Sequence, residues 1–292
     1  MEVLVTGGSS FIGRNLVEQY AGRFEVLAPG RAELDLLDPE AVHRYLKQHR
    51  FQAVIHAATE RSNRALPAAP ELLQRNCRMF FNLARNEHLY GRMLFLSSGA
   101  VYDRAHWRPG MAEDYFDAYV PSDDYGFSKY ICAKAVDAME NVCDLRLFGV
   151  FGPYEDWRVR FISNACCRAV WDMPVAIRQN VFFDYLDVED LGWIIEAFLK
   201  RGLRHKHYNV CTGRVFDLKD LAAMVIQASG KTLQIIVKNE GLGNEYSGNN
   251  ARLLAEVPGF HFREMSDSAA RLYRWYEARK AAIDPELLRF DE

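Results

Sequence analysis

Val3-Leu4-Val5-Thr6-Gly7-Gly8-Ser9-Ser10-Phe11-Ile12-Gly13, residues 3–13, decides the fold class. An apolar run passes through small residues into an amphipathic stretch from Ile12 to about Tyr20, which reads as strand, tight turn and helix. Gly7 permits the turn, and the small side chains after it let the backbone close on a pyrophosphate. The helix start adds unpaired N–H groups and positive partial charge. Gly7, Ser9, Ser10, Phe11, Ile12 and Gly13 are therefore candidates to hold a dinucleotide.

The same rhythm continues outward. Glu25-Val26-Leu27-Ala28, Ala53-Val54-Ile55-His56-Ala57, Met93-Leu94-Phe95-Leu96 and Leu145-Arg146-Leu147-Phe148 read as further strands. Pro39 to about Gln48, Glu71 to Tyr90 (closed by Gly91) and Tyr125 to Asn141 read as helices between them. Near-continuous apolar strands separated by helices predict a doubly wound α/β architecture, a parallel sheet covered on both faces. Beyond Pro153 the rhythm breaks. Residues 154–178 read as helical and aromatic, Asp187 to Lys200 and Leu218 to Ser229 as helices, and His207–Val210 and Leu233–Val237 as strands. Gly241 to Asn250, rich in glycine and asparagine, reads as a surface loop or lid, and Ser266 to Ala281 as a closing helix.

The bulk numbers exclude several classes. The chain has 292 residues, 49% hydrophobic and 26% charged, the balance of an ordinary globular protein. A net charge of -3 and a pI near 6.3 give no support for nucleic-acid or anionic-membrane binding. No apolar run reaches the ~18 residues of a membrane span. Met1-Glu2 leads straight into a strand with no signal-peptide pattern, so a cytoplasmic location is expected. Six cysteines without a Cys-x-x-Cys pair and eight histidines without His-x-x-x-His predict neither a disulfide frame nor a metal site.

Tyr125-Gly126-Phe127-Ser128-Lys129 carries the chemistry. A phenol and an ammonium four residues apart lie one turn from each other on one helix face. The positive charge favours the phenolate, and a phenol so acidified exchanges protons near neutrality. Ser98 follows the fourth strand, at the sheet end where parallel strands present reactive groups.

With these residues the chain resembles the extended short-chain dehydrogenases/reductases, in the NAD-dependent epimerase/dehydratase group that acts on nucleotide sugars. Thr6, Gly7 and Gly13 match the family's glycine pattern, with Ser10 in place of its middle glycine. Asp35-Leu36 resembles the adenine-contacting pair, and His56-Ala57-Ala58 the segment lining the cofactor. Leu145 to Pro153, with Gly149 for the usual Asn, is similar to the run beside the nicotinamide, which brings in Val150. Tyr208-Asn209-Val210 fits a further family element. The resemblance implies a Rossmann-type dinucleotide-binding domain over residues 1–153, to which 180–215 partly returns. It implies a smaller, mostly C-terminal α/β substrate domain from 154–179 and 216–292. Catalysis would rest on Ser98, Tyr125 and Lys129, the last two also touching the cofactor.

The second strand ends Ala28-Pro29-Gly30-Arg31 without an acid for the ribose hydroxyls. Arg31 could instead pair with a 2′-phosphate, which favours NADP over NAD. The reaction is read from what is absent. Ser98-Gly99-Ala100 stands where the dehydratases carry Thr-Asp-Glu, and Ala100 and Arg158–Phe161 stand where GDP-fucose synthases carry a Cys and a His. Reduction of a keto sugar nucleotide, a 4-keto-deoxy sugar foremost, is then expected. The alternatives are a 4-epimerase that retains NAD tightly and a cofactor-sensing protein without catalysis. Phe183 replaces the Arg that usually meets the diphosphate, so Arg158, Arg160 and Arg252 are candidates for that charge, and Asn164 for a substrate contact. A homodimer is expected by analogy, through a four-helix bundle of the helices near Glu71–Tyr90 and Tyr125–Asn141, with Met79, Phe80 and Ile131 as compatible apolar residues.

Overall fold

The computed structural model describes residues 1–61 and 71–289. Its first half runs β1 (Glu2–Thr6), α1 (Phe11–Tyr20), β2 (Glu25–Leu27), α2 (Pro39–Gln48), β3 (Ala53–His56), α3 (Leu72–Ala84), β4 (Met93–Ser98), α4 (Asp124–Val136) and β5 (Val142–Leu147). Then come β6 (Gly149–Phe151), α5 (Phe161–Val170), β7 (Val175–Asn180), β8 (Phe182–Asp187), α6 (Val188–Lys200), β9 (His207–Val210), β10 (Val215–Asp217), α7 (Leu218–Ser229), β11 (Ile235–Leu242), α8 (Ala251–Glu256) and α9 (Met265–Glu277).

Six strands form one parallel sheet in the order β2-β1-β3-β4-β5-β9. The two-residue period sorts its side chains between two cores. Val3 and Val5 join Leu16 and Tyr20 of α1 and Ile194 and Phe198 of α6 on one face. Leu4 joins Val42 of α2, Phe80 of α3 and Val136 of α4 on the other. The chain leaves β1 for β2 on one side and returns to β3 on the other. That reversal opens a crevice outside the carboxyl ends of the strands.

Helix boundaries follow their caps. Asp38 Oδ1 accepts from Glu40 and Ala41 N–H at 2.9 and 3.1 Å, with Pro39 in the first turn of α2. Asp123 caps α4 through Gly126 N–H at 2.9 Å, and Gly230, at φ +66°, closes α7. Two helices are shorter than expected: α3 ends at Ala84 before a 3₁₀ turn at Glu87–Leu89, and α4 ends at Val136.

A second core joins Phe151, Cys166, Ile177, Leu221, Leu272 and Tyr276. It lies among α5, α7 and α9, a three-stranded sheet β10-β8-β6 and a parallel pair β11-β7. Here the reading of residues 154–178 as helical needs correction. Only Phe161–Val170 is helix; Asp172, at φ +57°, ends it, and Val175 and Ile177 alternate inward along β7. The short strands β6, β8 and β10 were not anticipated. Gly241–Asn250 is in part the surface loop expected, exposed at Gly241, Leu242, Asn244 and Asn249, but it is pinned rather than a free lid, because Tyr246 and Ser247 are buried. Met79 and Phe80 are buried within the subunit, because they pack on the sheet, and are not available to a partner; Ile131 is half-buried. No helix among the described residues is long and apolar enough to cross a membrane.

Candidate active site

β4 ends on Ser98, and α4 starts across from it with Tyr125 and, one turn on, Lys129. Ser98 Oγ caps the following 3₁₀ turn by accepting from Ala100 N–H at 3.1 Å. The serine and the Tyr125 phenol line the same cavity. Lys129 is buried, its Nζ 3.4 Å from the Leu96 carbonyl and 5.7 Å from the Tyr125 ring centroid.

Burial pushes the Tyr125 phenol up, but the Lys129 ammonium, Arg61, the Ser98 hydroxyl and Arg160 together outweigh it. The net result is a phenol below its ordinary value. Burial pulls the Lys129 ammonium down, against the pull of Tyr125. Beneath them His56 is held neutral: burial, then Lys129, depress its imidazole to about 3. His56 Nδ1 lies 2.8 Å from Thr6 Oγ1, which in turn accepts from Ala58 N–H at 3.3 Å.

A cavity of about 560 Å³ opens over these groups at the carboxyl ends of the strands. Phe11, Ile12, Ala57 and Val150 line it together with Ser98 and Tyr125. Gly7 stands at φ +70°, and a Cβ there would come within 2.8 Å of the Ala58 backbone. A Cβ on Gly13 would lie 2.1 Å from the Gly7 carbonyl. Both positions require glycine. Ser9 and Ser10 are exposed on the turn, and Ser10 Oγ folds back to the Gly7 carbonyl at 2.6 Å, away from the approach to the helix. Among the described residues no side chain caps α1, so its first N–H groups are open to an anion. This cradle fits a dinucleotide pyrophosphate. Beyond β2, Arg31 and Asp35 form an exposed pair at 3.7 Å, while Leu36 is buried.

Of the residues expected to meet substrate, Arg160 lines the cavity and the others do not. Arg158 grips Asp156 with two bonds of 2.7 and 2.9 Å. Asn164 donates to the Trp157 and Arg158 carbonyls at 3.0 and 3.3 Å and accepts from Arg168 at 2.9 Å. Arg252 stands 3.7 Å from Glu113. The cavity instead recruits residues that the sequence did not single out: Arg61, Arg104, Glu155, Tyr185 and Tyr246. Glu155 is buried and accepts from Ser163 Oγ at 2.8 Å. Burial raises its carboxyl to about 7 against the pull of Arg160. Proximity to Pro153 was the sole sequence hint for Glu155, and Tyr246 lay hidden in a glycine-rich stretch.

A doubly wound sheet that brings Ser98, Tyr125 and Lys129 together at such a cavity fits the extended short-chain dehydrogenase/reductase class of enzymes. The model of the NAD-dependent epimerase/dehydratase family matches residues 3–211, and the chain belongs to that family. It is 27% identical over 265 residues to ADP-L-glycero-D-manno-heptose-6-epimerase of Cupriavidus pinatubonensis, covering 77% of each chain. Its fold is similar to UDP-glucose 4-epimerase of Thermotoga maritima, with a TM-score of 0.79 at 19% identity over 97% of this chain and 100% of that one. The GDP-mannoheptose C4 reductase of Campylobacter jejuni, solved with NADP bound, gives a TM-score of 0.76 at 18% identity over 94% and 98%.

Proposed function

We propose that this enzyme reduces the keto group of a nucleotide-linked sugar, a 4-keto-deoxy sugar foremost, with NADP(H) as its cofactor. The observation that carries the reading is the acidified Tyr125 phenol beside Ser98 at the edge of a cavity large enough for a sugar. When bound, the dinucleotide supplies the hydride. Gly7, Ser9, Ser10 and Gly13 would hold its pyrophosphate on the start of α1, and Arg31 its 2′-phosphate. Asp35 and Leu36 would flank the adenine, and Ala57, Ala58, Phe11, Ile12 and Val150 the rest of the dinucleotide. Ser98 and Tyr125 hold the substrate oxygen, Tyr125 delivers the proton, and Lys129 steadies the phenolate left behind and the nicotinamide ribose.

Residues 154–179 and 216–292 are proposed to hold the sugar nucleotide. Phe183 leaves the diphosphate without its usual cation, and Arg160, joined by Arg61 and Arg104, supplies that charge at the cavity. Among the described residues the lining contains neither cysteine nor histidine, which disfavours proton exchange by such groups at the carbons beside the ketone and does not bear on a 4-epimerase. Glu155 supports a second reading, in which a carboxylate exchanges the proton on the carbon beside the ketone. Two copies would pair across the outer faces of α3 and α4, where Phe81 is 37% exposed; a sedimentation experiment that finds only monomer would refute this.

The test follows NADPH oxidation against a panel of 4-keto sugar nucleotides in D2O. Consumption of NADPH without deuterium at the neighbouring carbon is expected. Deuterium uptake would favour the second reading. Protein that purifies with stoichiometric NAD and interconverts sugar epimers without net oxidation would overturn the reductase.

A further inference from the structure

Tyr246 is one of the cavity aromatics to which the mechanism above gives no part. It belongs to the segment between β11 and α8, which backbone hydrogen bonds stitch into place. Tyr246 N–H donates to Phe182 O and Asp184 N–H to Tyr246 O, each at 3.0 Å, and Asn249 N–H donates to Met111 O at 2.8 Å. Its ring packs on Trp107 at 4.1 Å and Phe148 at 4.9 Å between centroids. The hydroxyl rests against Gly99, where a Cβ would come within 2.4 Å of it. Gly99 has an ordinary backbone conformation, so glycine is needed there for space alone. Gly99 follows Ser98 directly, so the hydroxyl stands beside the serine on the cavity wall that both line.

A serine hydroxyl has one proton to give and two lone pairs. Ser98 Oγ already accepts from Ala100 N–H at 3.1 Å. Burial pushes the Tyr246 phenol well above its ordinary value, so near neutrality it keeps its proton and can donate it. Taken by the second lone pair of Ser98, that proton leaves the serine O–H one direction among its neighbours, toward the Tyr125 oxygen. We propose that Tyr246 is a positioning residue that, in the substrate-free enzyme, sets the direction of the chain Tyr246 O–H to Ser98 O–H to Tyr125, so that the serine donates to the Tyr125 oxygen until a substrate oxygen takes that proton. During reduction the Tyr125 O–H bond breaks and a bond to the substrate oxygen forms. Ser98 and Tyr246 keep their own protons; once the substrate oxygen has become a hydroxyl, the serine O–H turns back to Tyr125 and stabilises the phenolate that remains, each bond polarising the next.

This inference rests on Tyr125 as the proton-transfer group, so its test reads Tyr125 directly, without substrate. Tyrosines labelled with ¹³C at Cζ are titrated by NMR in the full chain, with Tyr125→Phe assigning the resonance. Tyr246→Phe keeps the stacked ring and removes the donor. The Tyr125 midpoint is expected to rise by about half a unit to one unit, roughly a three- to tenfold change in acidity. Gly99→Ala, which displaces the same hydroxyl, should give a rise of the same sign and stands in if the first variant does not fold. An unmoved midpoint in folded Tyr246→Phe overturns the inference and leaves the role of Tyr125 intact. A wild-type Tyr125 that titrates at the ordinary value of ~10 overturns the catalytic reading itself.

Discussion

The Tyr125 phenol is held below its ordinary value because cations reach it from three places in the chain: Lys129 one turn away, Arg61 after β3 and Arg160 before α5. The first was legible, since helical spacing alone places residues 125 and 129 together. The other two were not, because no local period links residue 61 to residue 160. Tyr125→Phe should lower kcat/KM by about 10²- to 10⁴-fold while NADPH affinity, read by fluorescence titration, changes little. Glu155 makes a separate prediction. Its carboxyl is raised from 4.5 to about 7, so the folded state holds that proton more tightly than the unfolded chain. Stability contributed by the neutral acid is complete below the unfolded value and is lost as pH rises through about 7, by at most roughly 3 kcal/mol. Glu155→Gln should flatten that decline in urea melts compared at about pH 5 and about pH 8; a slope identical to wild type would refute the assignment.

Elements with strong punctuation could be read from the chain alone. Asp38-Pro39 and Gly230 set the ends of α2 and α7 at the expected residues, because a cap satisfies backbone groups locally. The three-residue strands β6 and β10 are too short to show a period, and β7 was hidden by the aromatic stretch before it. The glycine turn was legible for the same reason as the caps, and its tolerance is sharply limited. Gly13→Ala places a methyl 2.1 Å from the Gly7 carbonyl, where neither backbone can yield cheaply. A loss of about 1–3 kcal/mol in stability is expected, together with at least about a tenfold weaker hold on NADPH, both measured by thermal shift. Unchanged cofactor affinity would show that the turn is not the pyrophosphate site.

At the scale of the molecule, a buried arginine joins the sheet to the segment after β4. Arg146 on β5 bonds Asp144 at 2.9 Å, the Tyr102 hydroxyl at 3.0 Å and the Glu113 carbonyl at 3.2 Å, and Tyr102 reaches Asn209 on β9 at 2.7 Å. Arg146→Ala would leave Asp144 buried without this partner, although His207 remains 3.0 Å away. Chemical denaturation should show a loss of about 3–5 kcal/mol; a loss below about 1 kcal/mol would mean that the network holds little together. The alternation of strand and helix, the glycine turn and the Tyr125–Lys129 pair were determined by residues close in sequence, through backbone geometry and side-chain period, while Ser98 was matched to them through the family resemblance. The convergence of Arg61 and Arg104 with Arg160, the raised Glu155 and the Tyr246 hydroxyl beside Gly99 were decided only by tertiary structure. They meet because a second core packs over the carboxyl ends of the first sheet, and contacts between segments so far apart leave no period in the chain.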